Sequence, residues 1–176
     1  CIDLPHTWNA KDGQDGGDDY YRGVCCYRKK FDRPVLEDKG QVYLEFNGVN
    51  STAEVWLNGI KLAVHDGGYS RFRVNITKVL RDKNVLEVKV DNRANDRVYP
   101  QKADFTFYGG IYRDVNMILV PEVHFDLDYY GTPGIKVTPC VEGKNASVTI
   151  QAYVSGKSDA VRLSIEGVDS VTVPCK

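Results

Sequence analysis

Ala53-Glu54-Val55-Trp56-Leu57-Asn58-Gly59-Ile60-Lys61-Leu62 is the stretch that decides the fold class. Ala53, Val55 and Leu57 alternate with Glu54 and Trp56, the period-two pattern of a strand with one face on a core. Asn58-Gly59 interrupts it, and both residues tolerate positive φ. The pair therefore predicts a two-residue type I′ hairpin into Ile60-Lys61-Leu62. Trp56 falls on the face opposite Val55 and Leu57, a position that suits packing, or contact with another domain, better than a platform for sugars.

The alternation continues on both sides of this hairpin. Val42, Leu44 and Phe46 share one face, as do Phe72, Val74 and Ile76, and then Leu86, Val88 and Val90. In each set the intervening residues are mostly polar, so one side of each strand is expected on a core and the other in water. That predicts an all-β, two-sheet sandwich. Asp66-Gly67-Gly68, Asp82-Lys83-Asn84 and Gly131-Thr132-Pro133-Gly134 mark further reversals. Only Ile76–Leu80 reads as a short helical turn. A boundary is expected near Tyr130, dividing 1–130 from 131–176. After it, Ile135–Val141, Ser147–Ser155, Ala160–Ile165 and Ser170–Val173 read as simpler strands with few aromatics. They resemble the opening of an immunoglobulin-like sandwich, short of the roughly 100 residues such a domain needs.

The chain has 176 residues, 42% hydrophobic and 27% charged, enough for one good core and the composition of an ordinary soluble protein. Lys plus Arg number 23 against 24 Asp plus Glu, so no field draws the chain to nucleic acid or to an anionic membrane. No apolar run reaches the length of a membrane span, and Cys1-Ile2-Asp3-Leu4-Pro5 is not a secretory signal. The compartment stays open between bacterial cytoplasm and periplasm. Five cysteines do not make a disulfide scaffold. Adjacent Cys25 and Cys26 are expected as small buried apolar residues, and pairing of Cys140 with Cys175 is left open. His6, His65 and His124 are scattered, so no zinc spacing exists.

Six motifs in order carry a family resemblance. They are Ile2-Asp3-Leu4-Pro5-His6-Thr7-Trp8, the strand Tyr21–Phe31, Ala53–Gly59, His65-Asp66-Gly67-Gly68-Tyr69, Asn84–Asn92 and Gly110-Ile111-Tyr112-Arg113-Asp114-Val115. Together they resemble the N-terminal jelly-roll, sugar-binding-type domain of glycoside hydrolase family two, whose best-known members are β-galactosidases. Thr7 stands where the family commonly has Asp, and Cys25-Cys26 where Gly-Trp or Ala-Trp is usual. The family also usually has a further strand before the Leu-Pro-His segment, so a late start is expected, as is truncation of the immunoglobulin-like part.

The resemblance implies a parent enzyme that hydrolyses a terminal glycoside with retention, using two Glu residues on a (β/α)₈ barrel. Retention needs two carboxyl groups about 5–5.5 Å apart. This chain has no Asn-Glu dipeptide, where the family places its acid/base Glu, and no βα alternation that could build a barrel. It is therefore expected to contain no catalytic residue and no cofactor. Its partners would be the catalytic barrel of its own full-length chain and a galactoside substrate, with a homo-oligomer of the parent enzyme also compatible. A free-standing carbohydrate-binding module, or a fragment of a β-glucuronidase or β-mannosidase, are the competing readings.

Within the chain, the resemblance points to Asp104. In the family an Asp just before the Gly-Ile-x-Arg-Asp segment contacts the terminal galactose and, in some members, a bound sodium ion. A carboxylate can accept from two sugar hydroxyls or complete an oxygen shell around a cation. The competing reading is a surface Asp paired with Lys102 or Arg97. Phe105, Phe107 and Tyr108 would form an aromatic wall nearby or, alternatively, part of the core. Arg113 and Asp114 are expected as a structural ion pair pinning the end of the loop. The family's second sugar-contacting position, an Asn in some members, aligns near Arg22 and does not carry over.

Overall fold

The computed structural model describes residues 1–12, 20–101, 103 and 105–176. It divides into two compact units. The first comprises Cys1–Val35 with Gln41–Leu119, the second Leu36–Gly40 with Val120–Lys176.

The first unit holds β1 (Val24–Asp32), β2 (Gln41–Phe46), β3 (Thr52–Leu57), β4 (Ile60–Asp66), β5 (Phe72–Asn75), β6 (Lys83–Asp91) and β7 (Val115–Val120, whose last residue belongs to the second unit). One sheet runs β1-β6-β3-β4 and the other β5-β2-β7. The hairpin that opened the sequence reading is present: Asn58 has φ 53° and Gly59 φ 82°, and β3 pairs antiparallel with β4 on either side. The Asn58 side chain also works outside the turn. Its amide donates to Val79 O at 2.9 Å and to Asn84 Oδ1 at 3.0 Å, and its oxygen accepts from Val85 N at 3.0 Å, tying the turn to the start of β6.

The core is the set of alternating residues. Ala53, Val55 and Leu57 of β3, Val88 and Val90 of β6, and Val42, Leu44 and Phe46 of β2 are all buried, with Phe46 stacked on Phe72 at 4.8 Å. The all-β sandwich stands. The short helical turn is a 3-10 segment, Thr77–Val79.

Two expectations about faces fail. On β2, Tyr43 and Glu45 are buried as well as Leu44 and Phe46, so this middle strand of its sheet has no watery side. Glu45 is tolerated there because Arg73 Nε, on the paired strand, donates to it at 2.7 Å. Arg71 lies 3.8 Å away and Asn116 donates at 3.3 Å. On β1, Cys25 is only half-buried and Cys26 is exposed, because β1 is an edge strand and Cys26 lies on its outer face. All five cysteines, including Cys140 and Cys175, are free thiols.

The second unit consists of two hairpins and a short pair. β9 (Ile135–Glu142) pairs with β10 (Asn145–Ala152), β12 (Ala160–Ile165) with β13 (Asp169–Pro174), and β8 (His124–Phe125) with β11 (Val154–Ser155). Tyr129 stacks on Tyr153 at 4.3 Å, while Val137, Val141, Val168 and Val171 remain exposed. This unit thus shows its apolar side chains largely to solvent.

The Glu45–Arg73 pair yields a prediction. Burial pushes the Glu45 carboxyl up, but the hydrogen bonds from Arg73 and Asn116 and the charges of Arg73 and Arg71 outweigh it and leave it below the ordinary value of 4.5. Glu45→Ala removes the carboxylate partner of the buried Arg73 guanidinium and should cost about 3 kcal/mol in a urea titration. A carboxyl acidified by folding stabilises fully above its unfolded pKa, and loses that contribution as pH falls through the lower folded value. The stability difference between wild type and Glu45→Gln should therefore shrink below about pH 4. A difference constant from neutral pH to pH 3 would refute this account.

Candidate functional site

The segment from Phe107 to Arg113 runs between the ends of the strands without joining a long ladder, so its backbone polar groups need partners from elsewhere. Asn50 provides two by a bridge to Gly110: Asn50 N donates to Gly110 O at 3.0 Å and Gly110 N to Asn50 O at 3.1 Å. The Asn50 side chain donates to Tyr108 O at 3.1 Å. From the N-terminal segment, Thr7 Oγ1 donates to Gly109 O at 2.8 Å and His6 N to Ile111 O at 2.8 Å. Gly109 N donates to Asn9 Oδ1 at 2.8 Å.

Asn9 is 0% exposed, and its amide is fully used. Its nitrogen donates to Asp12 Oδ2 at 2.6 Å and to Tyr21 O at 3.0 Å, while its oxygen accepts from Gly109 N and from Asn92 Nδ2, the latter at 3.3 Å. Asn92 is buried too, and accepts from Gly23 N at 2.8 Å. Tyr27 closes the other side. Its oxygen accepts from Ile111 N at 3.4 Å, and it meets His6 Nδ1 at 2.9 Å. Burial pushes the Tyr27 hydroxyl up, so it stays protonated and its hydrogen is available to the imidazole nitrogen.

Glycine is required at the centre of this arrangement. A Cβ on Gly109 would lie 2.5 Å from both Trp8 Cζ2 and Asn92 Nδ2. Gly110 has φ 123°, and a Cβ there would meet Tyr27 Oη at 2.5 Å and His6 O at 2.7 Å. Trp8 is thus a packing residue, its indole N–H donating to Tyr21 O at 3.4 Å. Trp56 lies elsewhere, half-buried on the outer face of β3 with Lys61 and Lys89 over its ring and its N–H on Glu54.

Asp104 and Lys102 lie outside the described residues. Arg97, one of the partners considered for Asp104, is engaged with Asp66 at 3.0 Å. Hydrogen bonds from Thr52 and from Arg97 hold the Asp66 carboxyl below the usual carboxylate range. The three aromatics diverge: Phe107 is 7% exposed and belongs to the core, whereas Phe105 and Tyr108 are 58% and 41% exposed. Phe105 stays in ring contact with Phe107 at 4.7 Å, so one side of it is supported and the other open.

Arg113 pins the end of the segment, but not through a carboxylate. Its guanidinium donates to the carbonyls of Asn47 at 3.3 Å and Tyr69 at 3.2 Å and lies over the Tyr112 ring. Among the described residues it makes no ion pair, and Asp114 contributes its carbonyl, which accepts from Asn47 N at 3.1 Å. One guanidinium nitrogen, Nη1, donates to both carbonyls, which its two hydrogens allow.

A cavity of about 610 Å³ opens between the two sheets near β1 and β7, with Leu44, Phe46, Leu86, Val88 and Ile111 in its walls. His6 and Tyr27 are joined to each other at its rim, and Asp3, Arg28, Lys29 and Asn116 also line it. Among the described residues no group of three or more His, Cys, Asp or Glu converges as a metal site.

With this geometry in place, the comparisons with known proteins are decisive about ancestry. The chain matches the Glycosyl hydrolase 2 galactose-binding domain-like family over residues 21–127. The chain belongs to glycoside hydrolase family two. It is 36% identical to a β-glucuronidase of Bacteroides fragilis over 99% of its own length and 26% of that protein's. It is 29% identical to a β-galactosidase of Thermoanaerobacter pseudethanolicus, over 89% of this chain and 21% of that one. Among solved structures, an FMN-binding β-glucuronidase from F. prausnitzii L2-6 superposes with a TM-score of 0.86 at 43% identity, covering 98% of this chain and 28% of that chain. The chain thus spans about a quarter of the length of these relatives.

Sequence alone assigns Asn9, Asn92 and Tyr27 no role of their own, and Asn50 only a formal match to an Asn-x-Ser/Thr sequon. The motifs that contain Asn9, Tyr27 and Asn92, or stop beside them, were recognised as family markers, but the partners lie 58 to 100 residues apart for Asn50–Tyr108 and Asn9–Gly109. The available signal was that Asn9 and Asn92 directly end or follow such motifs.

The two kinds of glycine give a test. Gly59 has positive φ and open space around it, so Gly59→Ala should cost only the backbone strain, about 1 kcal/mol. Gly110→Ala adds a collision with the His6 backbone and should cost about 3 kcal/mol in chemical denaturation. Equal costs would show that the packing around Gly110 is not as tight as described.

Proposed function

We propose that this chain is the non-catalytic, sugar-facing part of a retaining family-two glycoside hydrolase. It buttresses the catalytic barrel of its own full-length protein and lends the loop containing Asp104 to recognition of a terminal sugar. One observation carries this reading: the segment that follows Asp104 is fixed to the sandwich by buried hydrogen bonds, yet keeps Phe105 and Tyr108 open to solvent. A rigid base that leaves aromatic side chains exposed suits contact with a sugar ring. The paired Glu residues of the retaining mechanism belong to the barrel, so hydrolysis is assigned to the remainder of the protein.

The sugar is galactose on the loop motif around Asp104. A second reading, a terminal glucuronide, is favoured by the higher identity of relatives named β-glucuronidases. A sodium ion held at Asp104 belongs to the same proposal.

The full-length protein should hydrolyse an aryl β-galactoside, and the isolated 176 residues should not. Preference for the aryl β-glucuronide would replace the first sugar by the second. Asp104→Ala in the full-length enzyme should raise KM about tenfold or more, with a smaller effect on kcat. If sodium is held there, replacing sodium by potassium at constant ionic strength should raise KM in wild type but not in Asp104→Ala. Saturable binding of galactose by the isolated chain, together with a full-length protein that lacks hydrolase activity, would instead establish a free-standing binding module.

A further inference from the structure

Between Asn92, just after β6, and Gly109 the chain forms no strand among the described residues, and Asp104 falls within this stretch in sequence. Both ends meet on one side chain. Asn9 Oδ1 accepts from Asn92 Nδ2 at 3.3 Å and from Gly109 N at 2.8 Å, while its own nitrogen anchors to Tyr21 O and Asp12 Oδ2. We propose that Asn9 is a positioning residue: its buried amide clamps the two ends of this loop together and so sets where the sugar-contacting groups stand. This rests on the reading of the loop as part of sugar recognition.

Three features make the clamp specific to Asn9. Its side chain is fully buried with two donors and two acceptors all satisfied, so a change of chemistry has no solvent to fall back on. Gly109 is packed against Trp8 and Asn92, so the loop end cannot slide to find another partner. Thr7 completes the grip, its hydroxyl donating to Gly109 O while accepting from Asn9 N at 3.1 Å. Within the loop, Gln101 is separately stapled: its oxygen accepts from Asn95 N at 3.0 Å and its amide donates to Asn95 O and Val98 O. Arg22 Nη2 donates to Gln101 O at 3.0 Å, joining that staple to the start of β1. The Asn95–Gln101 part of the loop is therefore braced.

Displacement of a binding group by about 1 Å is enough to weaken recognition strongly. In the full-length enzyme, Asn9→Leu, which keeps the size and removes the amide, should raise KM about tenfold with kcat changed less than about twofold. A purely structural role would lower thermal stability without that split. The deciding measurement is the double variant: if Asn9 acts through the loop, Asn9→Leu should add nothing to the KM of Asp104→Ala. An unchanged KM in Asn9→Leu, or fully additive effects in the double variant, would overturn the proposal.

If Asn9→Leu does not accumulate as folded enzyme, Thr7→Val removes one grip and is read the same way. It should raise KM about threefold, again with no further effect in the Asp104→Ala background. If Asp104→Ala raises KM while neither base variant does, the positioning claim falls and the recognition reading stands. If Asp104→Ala alone leaves KM unchanged, the recognition reading falls, and the positioning claim with it.

Discussion

The constraint on which the first unit depends is that the backbone of residues 107–111 must enter the protein without the help of a long strand. A buried peptide group with no partner costs on the order of 1–3 kcal/mol, and this segment brings several. Side chains and short bridges supply the missing partners: Asn9 for the Gly109 N–H, Thr7 for its carbonyl, Asn50 for Tyr108 and Gly110, and Tyr27 for Ile111. Gly109 and Gly110 have no side chains precluding that approach, and Gly110 adopts a φ that other residues resist. The closeness of the chain and the satisfaction of its polar groups are thus one requirement met twice over.

The sheets were readable before any coordinates because their information is local. Ala53, Val55 and Leu57 are buried at a period of two, and Asn58-Gly59 turns as its backbone preferences demand. The clamp was not readable in the same way. Asn9 is polar and follows Trp8 outside any alternating strand pattern, and only contact with Gly109, a hundred residues on, gives it a buried role. Burial of Glu45 was missed for a related reason: alternation assigns it to water, while Arg73 and Asn116 on the two neighbouring strands make a polar environment that period-two reasoning cannot see. Cys25 and Cys26 erred in the opposite direction. Apolar chemistry suggested burial, but β1 lies at an edge, and edge position is a property of the sheet rather than of the residues.

Arg113 shows how a motif can be right about location and wrong about chemistry. Gly110–Val115 does mark the end of the loop, and Arg113 does pin it, yet it does so on the carbonyls of Asn47 and Tyr69. The distinction has consequences. A surface ion pair contributes little and weakens with salt, whereas a guanidinium bonded to two carbonyls satisfies acceptors that would otherwise need water. The guanidinium lies over the Tyr112 ring, and the Tyr112 hydroxyl donates in turn to Gly68 O. The exit of the loop is therefore held by backbone recognition on both flanks, Asn9 and Thr7 before Gly110 and Arg113 after it.

Such a division of labour is compatible with one sandwich recurring in enzymes named for different sugars. Function on a shared fold is set by the groups displayed, not by the architecture that displays them. Here the holding contacts go to main-chain atoms of residues 108–111, which are the same atoms whatever side chains the loop carries. Residues at positions such as Phe105 and Tyr108 can then change without disturbing the base, because their exposed sides make no part of its packing. The family resemblance to enzymes named both β-glucuronidase and β-galactosidase is compatible with that freedom. If Asn9 clamps the loop as proposed, specificity is to be sought in what the loop presents, with Asn9 setting its position.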